Sequence, residues 1–106
     1  MRNQICLITG ATSGLGKYIS YELSKKNYQL ILIGKSKKKI NSLKKKFKNK
    51  KYTYISADFT NLKELKKVIR ILKKFSKIDL LINNCGGLIK ENEKLHNSKT
   101  IMLNYF

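Results

Sequence analysis

Apolar runs of strand length recur along this chain, and each is followed by a stretch whose apolar residues fall three and four apart. That alternation restricts the fold more than any other feature. QICLIT (residues 4–9) runs into Gly10, YQLILIG (28–34) ends on glycine, TYISA (53–57) precedes Asp58, and IDLLINN (78–84) precedes a pair of glycines. Between them lie three helical patterns. Leu15, Ile19 and Leu23 form the first, expected to end at Asn27; Ile40, Leu43 and Phe47 form the second; Leu62, Leu65, Ile69 and Leu72 form the third. Asn61 and Glu64 have the spacing of a capping box at the start of the third. The order βαβαβαβ, with short connections, predicts an α/β fold in which a parallel sheet is covered by helices on both faces and the crossovers are right-handed. Near-continuous apolar strands suit a sheet buried on both sides.

With 106 residues the chain makes one small domain at most, and its core is expected to be marginal. The charge is lopsided: 24 basic residues against 6 acidic ones, net +18. Only Arg2 and Arg70 are arginine. Such a balance reads either as a patch for nucleic acid or an anionic membrane, or as compositional drift. Lys, Asn, Ile and Tyr are abundant together while Pro and Trp are absent, which fits a biased genome, and readers of nucleic acid favour the arginine fork. Drift is therefore the preferred reading, and a nucleic-acid partner is not expected. Cys6 and Cys85 sit in apolar runs and form neither a metal-ligand spacing nor a disulfide framework, so no metal is expected. With no signal peptide and no apolar run of membrane-span length, an intracellular, cytoplasmic location is expected; association with a membrane surface stays open.

The first strand runs directly into TGATSGLG (9–16). A glycine-rich turn between a strand and a helix is what a phosphate needs. Gly10 lets the chain turn tightly, Gly14 admits a ligand close to the backbone, and Gly16 lets the helix pack close to the sheet. The helix N-terminus adds free N–H groups and a partial positive charge. The spacing is G-x-x-x-G-x-G rather than G-x-G-x-x-G.

TGATSGLG resembles the T-G-x-x-x-G-x-G signature of the short-chain dehydrogenase/reductase family. Three further stretches agree with that family in order: SADFTN (56–61), INNCGG (82–87) with cysteine in place of alanine, and TIMLNYF (100–106). The resemblance covers the whole chain and implies a partial Rossmann fold with strand order 3-2-1-4. The first two helices are expected on one face and the third on the other. Residues 1–106 would form the N-terminal dinucleotide-binding half of one domain, with the C-terminal half missing. Thr9, Gly10, Ser13, Gly14, Leu15 and Gly16 would hold the pyrophosphate. Asp58 and Phe59 would border the adenine, and Asn84, Cys85 and Gly86 would line the cofactor channel. Asn104 would be the active-site asparagine.

The second strand ends in LILIGKSKKK (30–39), where an NAD site usually places a carboxylate. Lys35 and Ser36, helped by Lys37 or Lys38, would instead hold a 2′-phosphate, which favours NADP over NAD. The resemblance implies hydride transfer between that cofactor and a small carbonyl or alcohol. It also implies that the family's serine and Y-x-x-x-K would follow Phe106, so the chain alone is expected to be inactive. Its partners would be the missing C-terminal half and, in the full-length form, another copy of itself. Tyr21 and Lys25 make a Y-x-x-x-K string on the first helix, away from the expected nicotinamide position, and are read as coincidence. His96 is expected to be solvated. Two other functions stay open: a non-catalytic nucleotide-binding module and a basic nucleic-acid-binding protein. The substrate is not legible, with only faint likenesses to 3-oxoacyl, steroid and retinol-type reductases.

Overall fold

The computed structural model describes residues 4–84. Four strands, β1 (Gln4–Thr9), β2 (Tyr28–Gly34), β3 (Thr53–Ser56) and β4 (Leu80–Asn83), alternate with three helices, α1 (Gly14–Ser24), α2 (Lys37–Phe47) and α3 (Leu62–Leu72). The strands form one parallel sheet in the order β3-β2-β1-β4.

Burial on both faces explains the unbroken apolar strands. Side chains alternate across a strand, so Ile5, Leu7, Ile31, Ile33 and Ile55 pack under α3, against Val68 and Leu72. Their neighbours Cys6, Ile8, Leu30 and Leu32 face the other way, onto Ile40 and Leu43 of α2 and Ile19 and Leu23 of α1. Thus α1 and α2 share one face and α3 covers the other, as the sequence leads one to expect.

Each helix starts on a side-chain cap. Ser13, Ser36 and Asn61 accept from the N–H of Gly16, of Lys39, and of Lys63 with Glu64. The Asn61–Glu64 spacing is not a reciprocal box, because the Glu64 carboxylate accepts from the Asp58 N–H at 3.3 Å instead. Helix α1 stops at Ser24, short of Asn27, where Lys25 and Lys26 both turn their N–H groups onto the Leu23 carbonyl in a tighter turn. Two stripe assignments also change. Leu15 and Leu62 lie in first turns and are exposed, and the buried stripe of α3 is Leu65, Val68 and Leu72. Strand β4 is shorter than IDLLINN because the Asp79 carboxylate takes the Ile5 N–H at 2.7 Å, in the place of a backbone carbonyl.

Candidate functional site

The sheet changes direction at β1: the chain first builds outward through β2 and β3, then returns across to β4. A crevice opens at such a switch point, beyond the carboxyl ends of the strands. Here the glycine turn after β1 meets the end of β4. Gly10 has φ +63°, and a Cβ there would strike the Asn84 carbonyl. A Cβ on Gly16 would strike the Gly10 carbonyl and crowd the Asn84 amide. Gly14 differs: nothing lies within 4 Å of where its Cβ would stand. Two glycines therefore close the turn on itself, and the third leaves open space over the start of α1.

Hydrogen bonds from β4 hold the turn. The buried Thr9 hydroxyl donates to Asn83 Oδ1 at 2.7 Å and accepts from the Asn84 N–H at 3.0 Å. Ser13 Oγ donates to the Gly10 carbonyl at 2.9 Å and accepts from Asn84 Nδ2 at 2.8 Å. Asn83 has no expected role from sequence beyond ending a strand; its pairing with Thr9 across the sheet is what gives it one. No acid stands in the first turn of α1, so its partial positive charge is not offset locally.

Beside the turn, a cleft of about 220 Å³ crosses the ends of β1, β2 and β3. Gly10, Thr12 and Ser13 form one side. Ile33, Ala57 and Phe59 give it apolar walls, and Lys35, Lys39 and Asp58 give it charge. Lys35 Nζ stands 4.0 Å from Asp58 Oδ2. Asp58 also closes its own turn, accepting from the Thr60 N–H at 2.9 Å and hydroxyl at 2.7 Å. The second cation of the cleft is Lys39, not Lys37 or Lys38. Ser36 caps α2, accepting from the Lys39 N–H at 3.2 Å, which places Lys39 in the third helical position. Leu15 follows Gly14 with its side chain exposed, and it does not line the cleft.

Tyr21 and Lys25 are not brought together. Tyr21 packs on Phe47 with ring centroids 5.1 Å apart and its hydroxyl buried, whereas Lys25 pairs with Glu22 at 3.0 Å on the surface. Cys85, Gly86, His96 and Asn104 lie outside the described residues.

The short chain dehydrogenase family matches residues 4–105. The chain belongs to that family. Over 96 residues it is 35% identical to a Caenorhabditis elegans protein with a steroid dehydrogenase name, covering 85% of this chain and 30% of that one. The bulky-bulky ketone specific alcohol dehydrogenase from Comamonas testosteroni superposes with TM-score 0.67 at 28% identity, covering 81% of this chain and 37% of that one. The 3-ketoacyl-(acyl-carrier-protein) reductase from Brucella melitensis, solved with NADH, shares the fold with TM-score 0.64 at 23% identity, covering 74% and 32%. The chain thus spans about a third of the length of the relatives it matches. Members of this family are oxidoreductases that use nicotinamide dinucleotides on small molecules. Among the described residues, no helix is long and apolar enough to cross a membrane.

Proposed function

We propose that this chain binds NADP(H) at the cleft and supplies the dinucleotide-binding part of a carbonyl or alcohol oxidoreductase. One juxtaposition carries the reading: the open space over Gly14, at the start of α1, shares an edge of the sheet with a cleft that holds two lysines. The Gly14 and Leu15 N–H groups, which have no partner within the helix, suit a pyrophosphate. Ile33, Ala57 and Phe59 suit an adenine, with Asp58 at its edge. Lys35 and Lys39 suit a 2′-phosphate as point charges, and the Ser36 hydroxyl still has its proton to donate. Thr9, Gly10 and Gly16 shape the turn rather than touch the ligand through side chains, while Ser13 also lines the cleft. Asn84, Cys85 and Gly86 would continue toward the nicotinamide, and Asn104 would stand at the active site.

When bound, the nicotinamide supplies hydride exchange with a carbonyl or alcohol carbon. This chain's residues bind and orient it. The proton donor and the substrate-holding hydroxyl would come from a polypeptide corresponding to the remainder of the relatives' length, so the 106 residues alone bind without turnover. The substrate class follows the family's ketone, steroid and acyl reductases. A nucleic-acid role is weaker, because the lysines of α2 and of α3 stand on opposite faces of the sheet and spread the charge round the molecule.

Fluorescence titration of the chain with NADPH and NADH tests the reading. NADPH is expected to bind more tightly, with no NADPH oxidation when a ketone is added. Equal affinities would remove the NADP preference, and binding of neither would remove the reading.

A further inference from the structure

Besides the cleft, a second groove of about 260 Å³ runs between α1 and α2. Lys17 of α1 and Lys39 and Lys46 of α2 line it, with Thr12 from the turn, Ser42, and the buried Leu43. No carboxylate is among these residues. The acids among the described residues are engaged elsewhere. Glu22 pairs with Lys25, Asp58 with Lys35 and Asp79 with Lys77, and Glu64 accepts from the Asp58 N–H. Folding has therefore brought three lysines from two helices to line one concave space, with no carboxylate in its lining. Lys46 has a second contact: its ammonium sits 4.6 Å over the Tyr21 ring, which holds that end of the side chain beside α1.

We propose that this groove binds a soluble multivalent phosphate, such as an inorganic polyphosphate or the phosphate chain of a small metabolite. Three like charges around a small cavity repel one another, and an anion of matching valence removes that repulsion while gaining charge-assisted hydrogen bonds. Lysine ammonium groups act as point charges on flexible stems, so they suit the spread oxygens of a phosphate chain better than one planar carboxylate. The Thr12 hydroxyl adds a donor. Ser42 does not, since its proton goes to the Lys38 carbonyl at 3.1 Å. The groove adjoins the dinucleotide cleft. Thr12 and Lys39 line both, but Lys17 and Lys46 line the groove alone.

Isothermal titration calorimetry with tripolyphosphate, on the 106-residue chain at fixed ionic strength, tests this. One site per chain is expected. Lys17→Gln with Lys46→Gln is expected to weaken it about tenfold or more, since each charge-assisted hydrogen bond is worth a factor of that order. Lys66→Gln with Lys67→Gln, on α3, removes the same charge from the opposite face and is expected to change affinity by about twofold or less, as screened surface charges do. Lys17→Arg with Lys46→Arg keeps the charge and is expected to retain binding, which guards against a variant that merely fails to fold. Circular dichroism checks each variant. Absence of binding by the wild-type chain, equal losses in the α1–α2 and α3 pairs, or loss in the arginine pair would each overturn the proposal. So would an NADPH affinity that falls in step with tripolyphosphate in the Lys17/Lys46 glutamine pair.

Discussion

Asn84, at the end of β4, donates through Nδ2 to Ser13 Oγ at 2.8 Å, joining residues 71 apart in sequence. The same amide reaches the Gly10 carbonyl at 3.5 Å, and the Asn84 backbone N–H reaches Thr9. One residue thus ties the far strand to the cap of α1. Asn84→Ala keeps the backbone bond and removes the amide. It is expected to cost about 1–2 kcal/mol of stability, the worth of one or two hydrogen bonds. It is also expected to weaken NADPH binding, because Ser13 and the first turn of α1 lose their brace. Thermal melts and fluorescence titration check both. Unchanged stability and affinity would mean that Ser13 is held by its bond to Gly10 alone.

Gly14 and Gly16 of the turn are expected to separate under mutation. Gly16→Ala drives a methyl into the Gly10 backbone carbonyl, which a flexible side chain could not relieve, and is expected to destabilise by about 3 kcal/mol. Gly14→Ala meets nothing within 4 Å and is expected to leave stability unchanged or raise it by about 0.5 kcal/mol, since alanine favours the helix. Gly14→Val keeps the fold but fills the space over α1, and NADPH affinity is expected to fall. Melts and titrations on the same three variants decide it. A Gly14→Val chain that binds as the wild type does would move the phosphate away from this helix end.

The fold was legible in the sequence where burial is two-sided. QICLIT and YQLILIG match β1 and β2 residue for residue, because both faces of the central strands are covered and their runs Ile5 to Ile8 and Leu30 to Ile33 are buried and apolar. Spacing failed at Leu15 and Leu62. Each continues a period of three or four but stands in the first turn of its helix and is exposed. In the site, the glycine turn could be read locally. Lys39 could not be told from Lys37 and Lys38 in a run of lysines; the cap at Ser36 settles which of them faces the cleft. Asn83 and Glu64 gain their roles from partners that only the folded topology supplies, Thr9 across the sheet and Asp58 at the other end of a turn.

Lys35 faces two demands: it stands 4.0 Å from Asp58 and borders the cleft. Lys35→Asp removes the cation and sets a carboxylate near the Asp58 carboxylate. NADPH is expected to bind about tenfold or more weakly, through loss of a charge-assisted contact and repulsion of the 2′-phosphate. NADH, which has a ribose hydroxyl there, is expected to be spared. Paired titrations read the ratio. A ratio unmoved by the substitution would assign the phosphate to Lys39 alone, a possibility that Lys39→Gln then examines directly.

Cys6 gives the fold a dependence on alkaline pH. Its thiol is wholly buried between β1 and the α1–α2 layer, and burial pushes its pKa from 9.0 to about 11. The folded state therefore holds its proton where the unfolded chain has released it. Between about pH 9 and pH 11 the unfolded state binds fewer protons, so stability falls as pH rises through that window; below pH 9 the contribution is fully present. Burial raises the Tyr52 and Tyr54 hydroxyls in the same direction. With Cys85→Ser as background, Cys6→Ala is expected to flatten the decline in melting temperature between about pH 9 and about pH 11, though it melts lower throughout because of the small cavity it leaves. In the same background a thiol reagent at neutral pH is expected to react only after denaturant is added. Equal slopes with and without Cys6 would assign the alkaline loss to the tyrosines.

Strand β4 is expected to limit solubility. Among the described residues it pairs with β1 alone, leaving its other edge without a strand partner there, and Leu80 on it is 36% exposed. Such an edge is a template for a second chain. Opposing that is a net charge of +18, which keeps copies apart only as far as salt allows. The screening length is about 30 Å at 0.01 M salt and about 3 Å at 1 M. Sedimentation is therefore expected to show a monomer at the low end of that range and growing association toward the high end. Leu80→Lys places a charge on the edge without touching the core and is expected to shift the onset to higher salt. Lys66→Gln with Lys67→Gln, far from the edge, is expected to shift it slightly the other way. A monomer at every salt concentration would mean that the β4 edge is covered by the chain itself. Association that Leu80→Lys leaves unaltered would place the contact on another surface.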